Sequence, residues 1–443
     1  MSKWRNVRIG DVAKQKKGST TIRDDVDYKL CRVQLHRKGV VLRETVKGSK
    51  IRTKKQQVCH KGDLVVAEMD AKFGGYGFID TNLDGAIVSS HYYLYEFDTK
   101  QILRDYFTVV IHSGLIQNQI EAKGSTNYSS IRAWEFLNYT IPLPELKTQE
   151  SIAKRFLKVY SGKNELNDLN SKQLELIALI RQSILEEAIE GKLTAEWRRE
   201  HHELISRDNH ALKLLEKIRA EKEQLIKEGK LRKEQSSAPI NDVEKPFELP
   251  EGWIWCRLGD IGITQTGTTP STNDKANLGD NIPFVKPADI SDKEINYYNE
   301  GLSEKGISVG RLIPSNSILM VCIGGSIGKA YFTDPDVSCN QQINAITPLA
   351  NIKAEFLLQF LQSSYFQTEV WNKAMKSSTP IINKSKWENI LVPLPPQSEQ
   401  QVILDRINKI VVYINELEKQ VSEREEQSEM LMQSVLREAF ATS

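Results

Sequence analysis

Ile141-Pro142-Leu143-Pro144, then Gln149, then a run ending Gln182-Ser183-Ile184-Leu185-Glu186-Glu187-Ala188-Ile189-Glu190-Gly191-Lys192-Leu193-Thr194, is the stretch on which the fold turns, because it comes back 251 positions later. Pro142 and Pro144 return as Pro393 and Pro395, Gln149 as Gln400, Ile152 as Ile403 and Arg155 as Arg406. At the far end Gln182, Ser183, Leu185 and Ala188 return as Gln433, Ser434, Leu436 and Ala439. A constant offset over so long a run marks an internal repeat, two copies of one unit.

Working outward, each copy opens alike. Arg8, Gly10 and Asp11 match Arg257, Gly259 and Asp260 at an offset of 249. Short β-rich runs follow, L-V-V-A after Gly62-Asp63 and I-L-M-V after Pro314-Ser315-Asn316-Ser317. A glycine-rich turn comes next in both, F-G-G-Y-G at 73–77 and I-G-G-S-I-G at 323–328. Helical patterns are expected over 104–120 and 354–370, and each copy reaches Trp-Glu, at 134–135 and 387–388, before the prolines. Matched positions put Trp134 and Trp387 in the core. Each unit reads as an α+β domain.

The prolines end regular structure and turn the chain into a long helix, with Ser398 as N-cap and Gln401 completing a capping box. In a heptad frame the second helix has Ile403, Ile407, Ile410, Ile414, Leu417, Val421, Arg424, Ser428, Leu431 and Val435. The first has Ile152, Phe156, Val159, Lys163, Leu166, Asn170, Gln173, Ile177, Ile180 and Ile184. Such seams are expected to pair antiparallel as a coiled-coil spacer, each helix following one domain and the whole carrying a pseudo-two-fold repeat. Two separate helices, each with its own partner, are the other reading. A further amphipathic helix, 211–230, and a polar linker have no counterpart after the second copy. The resulting division is 1–147, first reader; 148–245, first long helix with connector and linker; 246–396, second reader; 397–443, second long helix.

The net charge of +2 is unevenly spread. Residues 1–147 carry 24 Lys and Arg against 16 Asp and Glu, whereas 246–396 carry 12 against 15. The first balance points to a polyanionic partner and the second demands a local patch. Five cysteines without a C-x-x-C pair suit reduced thiols. With no apolar run of about 20 residues and no leader pattern at Met1, a cytoplasmic protein away from membranes is expected.

P-F-E-L-P-E-G-W-I-W-C-R-L-G-D-I (246–261), P-L-P-P-Q-S-E-Q (393–400) and S-I-L-E-E-A-I-E-G-K-L-T (183–194), in matched order, resemble the specificity (S) subunit of type I restriction–modification systems. The likeness spans essentially the whole chain. The first copy departs from it with Thr148 where the second has Glu399. The resemblance implies that each globular domain is a target recognition domain reading one half of a split, asymmetric site in double-stranded DNA. It implies that the helices set the spacing and dock two methyltransferase (M) subunits, joined by restriction/translocase (R) subunits. S-adenosylmethionine would then belong to the methyltransferase partner, ATP and Mg to the translocase, and no cofactor to this chain.

Chemistry of its own is not expected here. Neither an adenine-methyltransferase signature nor G-x-x-x-x-G-K-[ST] occurs, and no histidine pair has metal-ligand spacing. Asp63, Asp70 and Lys72 have a nuclease-like spacing but read better as a solvated loop. Two alternatives remain: a coiled-coil scaffold whose end domains bind proteins, or the recognition part of a different methyltransferase or nuclease system.

Phosphates need cations and small hydroxyls, whereas bases need side chains that fork or reach. The first domain offers Arg43, Lys47, Lys50, Arg52, Lys54 and Lys55 in one basic run. Beside its polar turns lie Lys72, Phe73, Tyr76, His91, Lys123, Ser125, Thr126, Asn127, Tyr128 and Arg132. The second offers Ser326, Lys329, Asn340, Gln341, Gln342, Lys376, Ser377, Ser378, Thr379, Asn383 and Lys386. The three amides at 340–342 read either as adenine contacts or as caps of internal strands.

Overall fold

The computed structural model describes residues 4–120, 130–232, 238–271, 273–374 and 379–441. It has two compact units, Met1–Lys172 with Val421–Ser443, and Gln173–Gln420. The expected α+β class holds in both.

In the first unit, strand β1 (Arg5–Arg8) opens the domain, and helix α1 (Ile9–Val12) leads into β2 (Ala13–Lys16), β3 (Thr20–Thr21), β4 (Asp27–Val33) and β5 (Val40–Lys47). Strands β6 (Lys55–Val58), β7 (Leu64–Ala67), β8 (Tyr76–Phe78), β9 (Ile87–Val88) and β10 (Tyr92–Phe97) follow. Helices α2 (Arg104–Ser113) and α3 (Ala133–Asn138), strand β11 (Thr140–Leu143) and the long helix α4 (Leu146–Ile189) complete the order. The expected helix over 104–120 stops at Ser113 because Gly114 takes φ +81°, a left-handed C-terminal stop.

The opening strand pairs antiparallel with the closing one, Arg5 opposite Leu143 and Arg8 opposite Thr140. A four-stranded sheet has the order β2-β10-β7-β8 and a five-stranded sheet the order β3-β6-β9-β4-β5. Leu64 to Ala67 are all buried, as an unbroken apolar run bounded by turn residues requires. Asp63 is not in a solvated loop. It is 4% exposed, and both carboxylate oxygens accept from Lys16 Nζ at 2.9 Å while one also accepts from the His60 N–H. That pairing gives the aspartate a structural role, since a buried carboxylate needs donors.

The second unit holds α5 (Ala195–Glu200) and α6 (Ala211–Lys227), then β12 (Ile254–Arg257), β13 (Gly262–Thr266), β14 (Leu278–Val285) and β15 (Gly301–Leu302). After α7 (Glu304–Val309) come β16 (Ile318–Val321), β17 (Ala330–Phe332), β18 (Ser338–Cys339) and β19 (Ile343–Pro348). Helices α8 (Ala354–Leu361), α9 (Ser364–Lys373) and α10 (Lys384–Glu388), strand β20 (Leu391–Leu394) and the long helix α11 (Gln397–Phe440) follow. The helical pattern expected over 354–370 is broken in two, and the Ser363 hydroxyl restarts it by accepting from the Phe366 N–H.

The repeat is visible as strand order. β12 pairs with β20 as β1 does with β11, and β13-β19-β16-β17 repeats β2-β10-β7-β8. The remaining sheet differs, with three strands, β15-β14-β18, in place of five. The repeated Arg-x-Gly-Asp is explained by matched contacts. Asp11 and Asp260 each accept the backbone N–H three residues back, from Arg8 and Arg257, at 2.9 Å. A Cβ on Gly10 would stand 3.1 Å from the Leu137 carbonyl oxygen, and one on Gly259 3.1 Å from Glu388 Cβ, so both glycines let the last helix of the domain approach.

That match pairs Leu137 with Glu388 and hence Phe136 with Trp387, both fully buried. Trp134, expected in the core, is 63% exposed. Helix α6 is more than a connector. Ala211, Leu214, Leu215 and Ile218 are buried in the same core as Leu258 and Ile261.

The long helices pair in each unit. In the first, Ala153 and Phe156 pack with Met432, Val435 and Leu436, and Arg155 bonds Glu438 at 2.5 Å while Lys163 bonds Glu429. In the second, Ile177, Ile184 and Leu185 pack with Ile403, Leu404, Ile407 and Ile414, and Arg181 reaches Glu418 at 3.3 Å. Partners fall along α11 as they rise along α4, so the pairing is antiparallel. The heptad frame misses in three places. Ile180, Leu417 and Leu431 are exposed; Met432 takes the inward position beside Leu431, while Arg181 and Glu418, beside the other two, form an ion pair at the edge of the seam. The frame positions that follow, Ile184, Val421 and Val435, are buried again, so each miss is local. Ser398 is also not the N-cap. The helix begins at Gln397, and the serine hydroxyl donates to the Leu204 carbonyl at 2.7 Å.

Candidate nucleic-acid interface

Among the expected contacts of the first domain, Arg43 and Lys47 lie on β5, a strand whose residues are mostly solvent-facing, and Lys50, Arg52 and Lys55 are exposed just beyond it. Arg43 bonds its neighbour Glu44 at 3.4 Å. Lys47, Lys50, Arg52 and Lys55 make no ion pair among the described residues, so their charge is available to an anion. Lys54 is spent locally, on Asp24 at 2.5 Å and the Gly48 carbonyl at 2.8 Å.

The glycine-rich turn behaves differently at each residue. Phe73 is 44% exposed, whereas Lys72 is half-buried. Tyr76 is removed from the site: it is 1% exposed on β8, in the core with Phe136, and burial pushes its phenol pKa up. All three residues of β8 are buried, so no side chain of the strand faces outward there. Lys123, Ser125, Thr126, Asn127 and Tyr128 lie outside the described residues, as do Lys376, Ser377 and Ser378.

At the end of β7 the structure brings together His91, Arg132 and a residue that the sequence reading did not single out. Glu68, 17% exposed at its side chain, accepts from Arg132 Nη1 at 3.5 Å and lies 3.1 Å from His91 Nδ1. The Tyr93 phenol lies beside the pair, its pKa raised by burial first and by Glu68 next. Two residues past Arg132 stands the exposed Trp134. The offset of 253 between the two Trp-Glu pairs, matching neither 249 nor 251, was the available signal that Trp134 is not the counterpart of Trp387.

In the second domain Asn340 spends its side chain internally. Its Oδ1 accepts from the Gln342 N–H at 3.0 Å and its Nδ2 donates to Gln342 Oε1 at 3.2 Å, which is a turn cap. Gln341 is exposed and accepts from the Thr269 hydroxyl at 2.5 Å. Asn383 caps α10 by accepting from the Lys386 N–H at 2.8 Å, and Lys386 Nζ donates to the Lys373 carbonyl at 3.0 Å. Lys329 and Thr379 are exposed and Ser326 is half-buried on the second glycine turn. Among the described residues no group of three His, Cys, Asp or Glu side chains is placed to hold a metal ion, and no helix is long and apolar enough to cross a membrane.

Two β-rich modules on one strand plan, each opening and closing on a paired strand and running into a 44-residue helix, define a tandem-module architecture with unlike surfaces on like scaffolds. The chain belongs to the family of the type I restriction modification DNA specificity domain, whose model matches residues 1–176 and 250–426. It is 29% identical over 365 residues to the type I restriction enzyme EcoAI specificity subunit of Escherichia coli, across 68% of this chain and 58% of that protein. To the HindI specificity subunit of Haemophilus influenzae it is 26% identical over 316 residues, across 67% and 68%. The EcoEI specificity subunit of Escherichia coli matches at 29%, across 55% of this chain and 41% of that protein, so the chain spans about half the length of the first curated relatives it matches. Two solved structures share the fold at 19% identity. A chain from a type I R-M system complex gives a TM-score of 0.72, with 99% of this chain and 97% of that one covered. The HsdS subunit from Thermoanaerobacter tengcongensis gives 0.54, with 99% and 96% covered.

Proposed function

We propose that the chain is the non-catalytic DNA sequence-specificity subunit of a type I restriction–modification enzyme. Residues 1–147 and 246–396 are the two readers, each taking one half of a bipartite, asymmetric site in double-stranded DNA. The helices, 148–245 with its connector and 397–443, set the spacing and dock two methyltransferase subunits, to which restriction/translocase subunits add. The observation that carries this reading is the repeated strand plan with different polar side chains at matched edges. One scaffold used twice with unlike contact residues suits two unlike half-sites. Exposed cations on and after β5 supply sequence-independent attraction to phosphate, and the residues around Phe73, His91, Arg132, Lys329 and Gln341 supply contacts nearer the bases. Cofactors sit in the partners: S-adenosylmethionine in the methyltransferase, ATP and Mg in the translocase.

The test is filter retention of duplex DNA by the purified chain, alone and with the methyltransferase subunits encoded beside it. Weak retention alone and a sharp rise with them is expected, because linked contacts raise effective concentration. Mapping methylated adenines in the source genome should then give one split motif. Equal retention with and without the subunits, or methylation with no split motif, overturns the proposal.

A further inference from the structure

The two readers can be compared at one backbone position that both build identically. After β7 the Glu68 N–H donates to the His91 carbonyl at 2.9 Å, and the Glu68 carbonyl accepts from the Ile131 N–H at 2.9 Å. After β16 the Cys322 N–H donates to the Gln342 carbonyl at 2.8 Å, and the Cys322 carbonyl accepts from the Ile382 N–H at 3.0 Å. Glu68, His91 and Arg132 thus stand where the second reader has Cys322, Gln342 and Asn383. The scaffold is the same, but the chemistry changes from an acid-held cation to neutral amides.

We propose that Arg132, positioned by Glu68, reads a guanine in the half-site of the first domain, and that the amide-bearing counterpart makes this position a determinant of the difference between half-sites. This rests on the specificity-subunit reading above. Arg132 is 67% exposed at its side chain, so its guanidinium reaches solvent while one N–H is tied back to a carboxylate. A cation already balanced by Glu68 adds little to the general pull on phosphate, unlike Lys47 or Lys50. What it retains is a planar fork of donors matched to guanine O6 and N7. Tethering also removes rotamer freedom that binding would otherwise have to remove, so Glu68 is a positioning residue. At the corresponding place the second reader has no charged fork: Asn383, the counterpart of Arg132, spends its amide oxygen on the α10 cap, and Gln342, the counterpart of His91, accepts from Asn340 Nδ2.

The experiment uses the full chain together with the methyltransferase subunits encoded beside it, at low, fixed salt, selecting from duplexes randomised across two half-sites and sequencing the retained fraction. Arg132→Ala should relax the preference for guanine at one position of one half-site, by roughly five- to a hundred-fold, and leave the other half-site untouched. Arg132→Lys should not restore it, because a point charge does not fork. Glu68→Gln should shift the same position in the same direction by less. Uniform loss of retention on every sequence, with the salt slope reduced by about 0.9, would make Arg132 a phosphate contact and overturn the inference. An unchanged profile overturns it as well. If the complex with the unmodified chain enriches no split sequence, the specificity-subunit reading itself fails and takes this one with it.

Discussion

At the scale of single residues, Glu399 shows why three separate motifs travel together. Its carboxyl is fully buried, with Arg198 Nη1 and the Thr194 hydroxyl on one oxygen, both at 2.5 Å, and Trp253 Nε1 on the other at 2.8 Å. Thr194 belongs to the turn after the first long helix, Trp253 to the start of the second domain and Glu399 to the second proline-rich exit. Each signature is therefore one wall of the same contact. Glu399→Ala should lower stability by about 3–5 kcal/mol in urea unfolding, since Arg198 would be left buried without its partner. The glycine between them is as constrained. Gly191 has φ +71°, and a Cβ there would meet Pro250 at 2.7 Å. His112 gives a pH signature. Burial first, then Arg37 and Lys163, hold its pKa down to about 4, against an ordinary value of 6.5. The unfolded chain therefore binds a proton between those values that the folded one refuses. Stability is full above about pH 6.5 and falls as pH drops toward 4, by up to about 3 kcal/mol. His112→Phe should flatten the melting temperature over that window. The matched Arg-x-Gly-Asp could be seen in the sequence because both copies keep it for the same backbone reason. Glu68 could not be seen, because its partners lie 23 and 64 residues away and no spacing rule links them.

At the scale of elements, the two long helices were legible as apolar periodicity, and their antiparallel pairing followed from there being one per domain. Their detailed seam was not legible, because which of two adjacent residues is covered at Ile180, Leu417 and Leu431 depends on the facing helix, which periodicity within one helix does not contain. Asn170 is the informative exception inside that seam. It is fully buried, and neither its amide nitrogen nor its amide oxygen finds a hydrogen-bond partner among the described residues. A buried amide left so costs about 1–3 kcal/mol. Asn170→Leu should therefore raise the urea midpoint of the full chain. A fall in the midpoint would show that the amide is satisfied in solution. The gain would come with looser register, because one polar residue in an apolar seam penalises slipped pairings.

At the scale of the whole chain, duplication is conserved in two of the sheets and abandoned in the third, five strands in one copy and three in the other. The common sheets hold the core and the exits to the helices, whereas β5 of the larger sheet and the segment from it to the start of β6 carry the exposed basic run. This divides the like from the unlike in physical terms. Packing allows few solutions and repeats them, while solvent-facing strands are free to diverge, which is why the contact residues were only partly readable as a list. For the basic run a uniform effect is expected. Lys47→Ala, Lys50→Ala, Arg52→Ala and Lys55→Ala should each weaken retention on all duplexes alike and reduce the log–log salt slope by about 0.9 where a phosphate is contacted. A change confined to particular sequences would move that residue to the bases.

The make-up of the first unit also bears on synthesis. Ala153 and Phe156 of α4 are covered by Met432, Val435 and Leu436, and Phe440 packs against the core that holds Tyr106. During translation the first reader leaves the ribosome with that apolar stripe uncovered, and some 280 residues must be added after Phe156 before its cover at Met432 to Leu436 is complete. At about 5–20 residues per second the stripe waits on the order of ten seconds to a minute, a window in which chaperones or a neighbouring nascent chain can reach it.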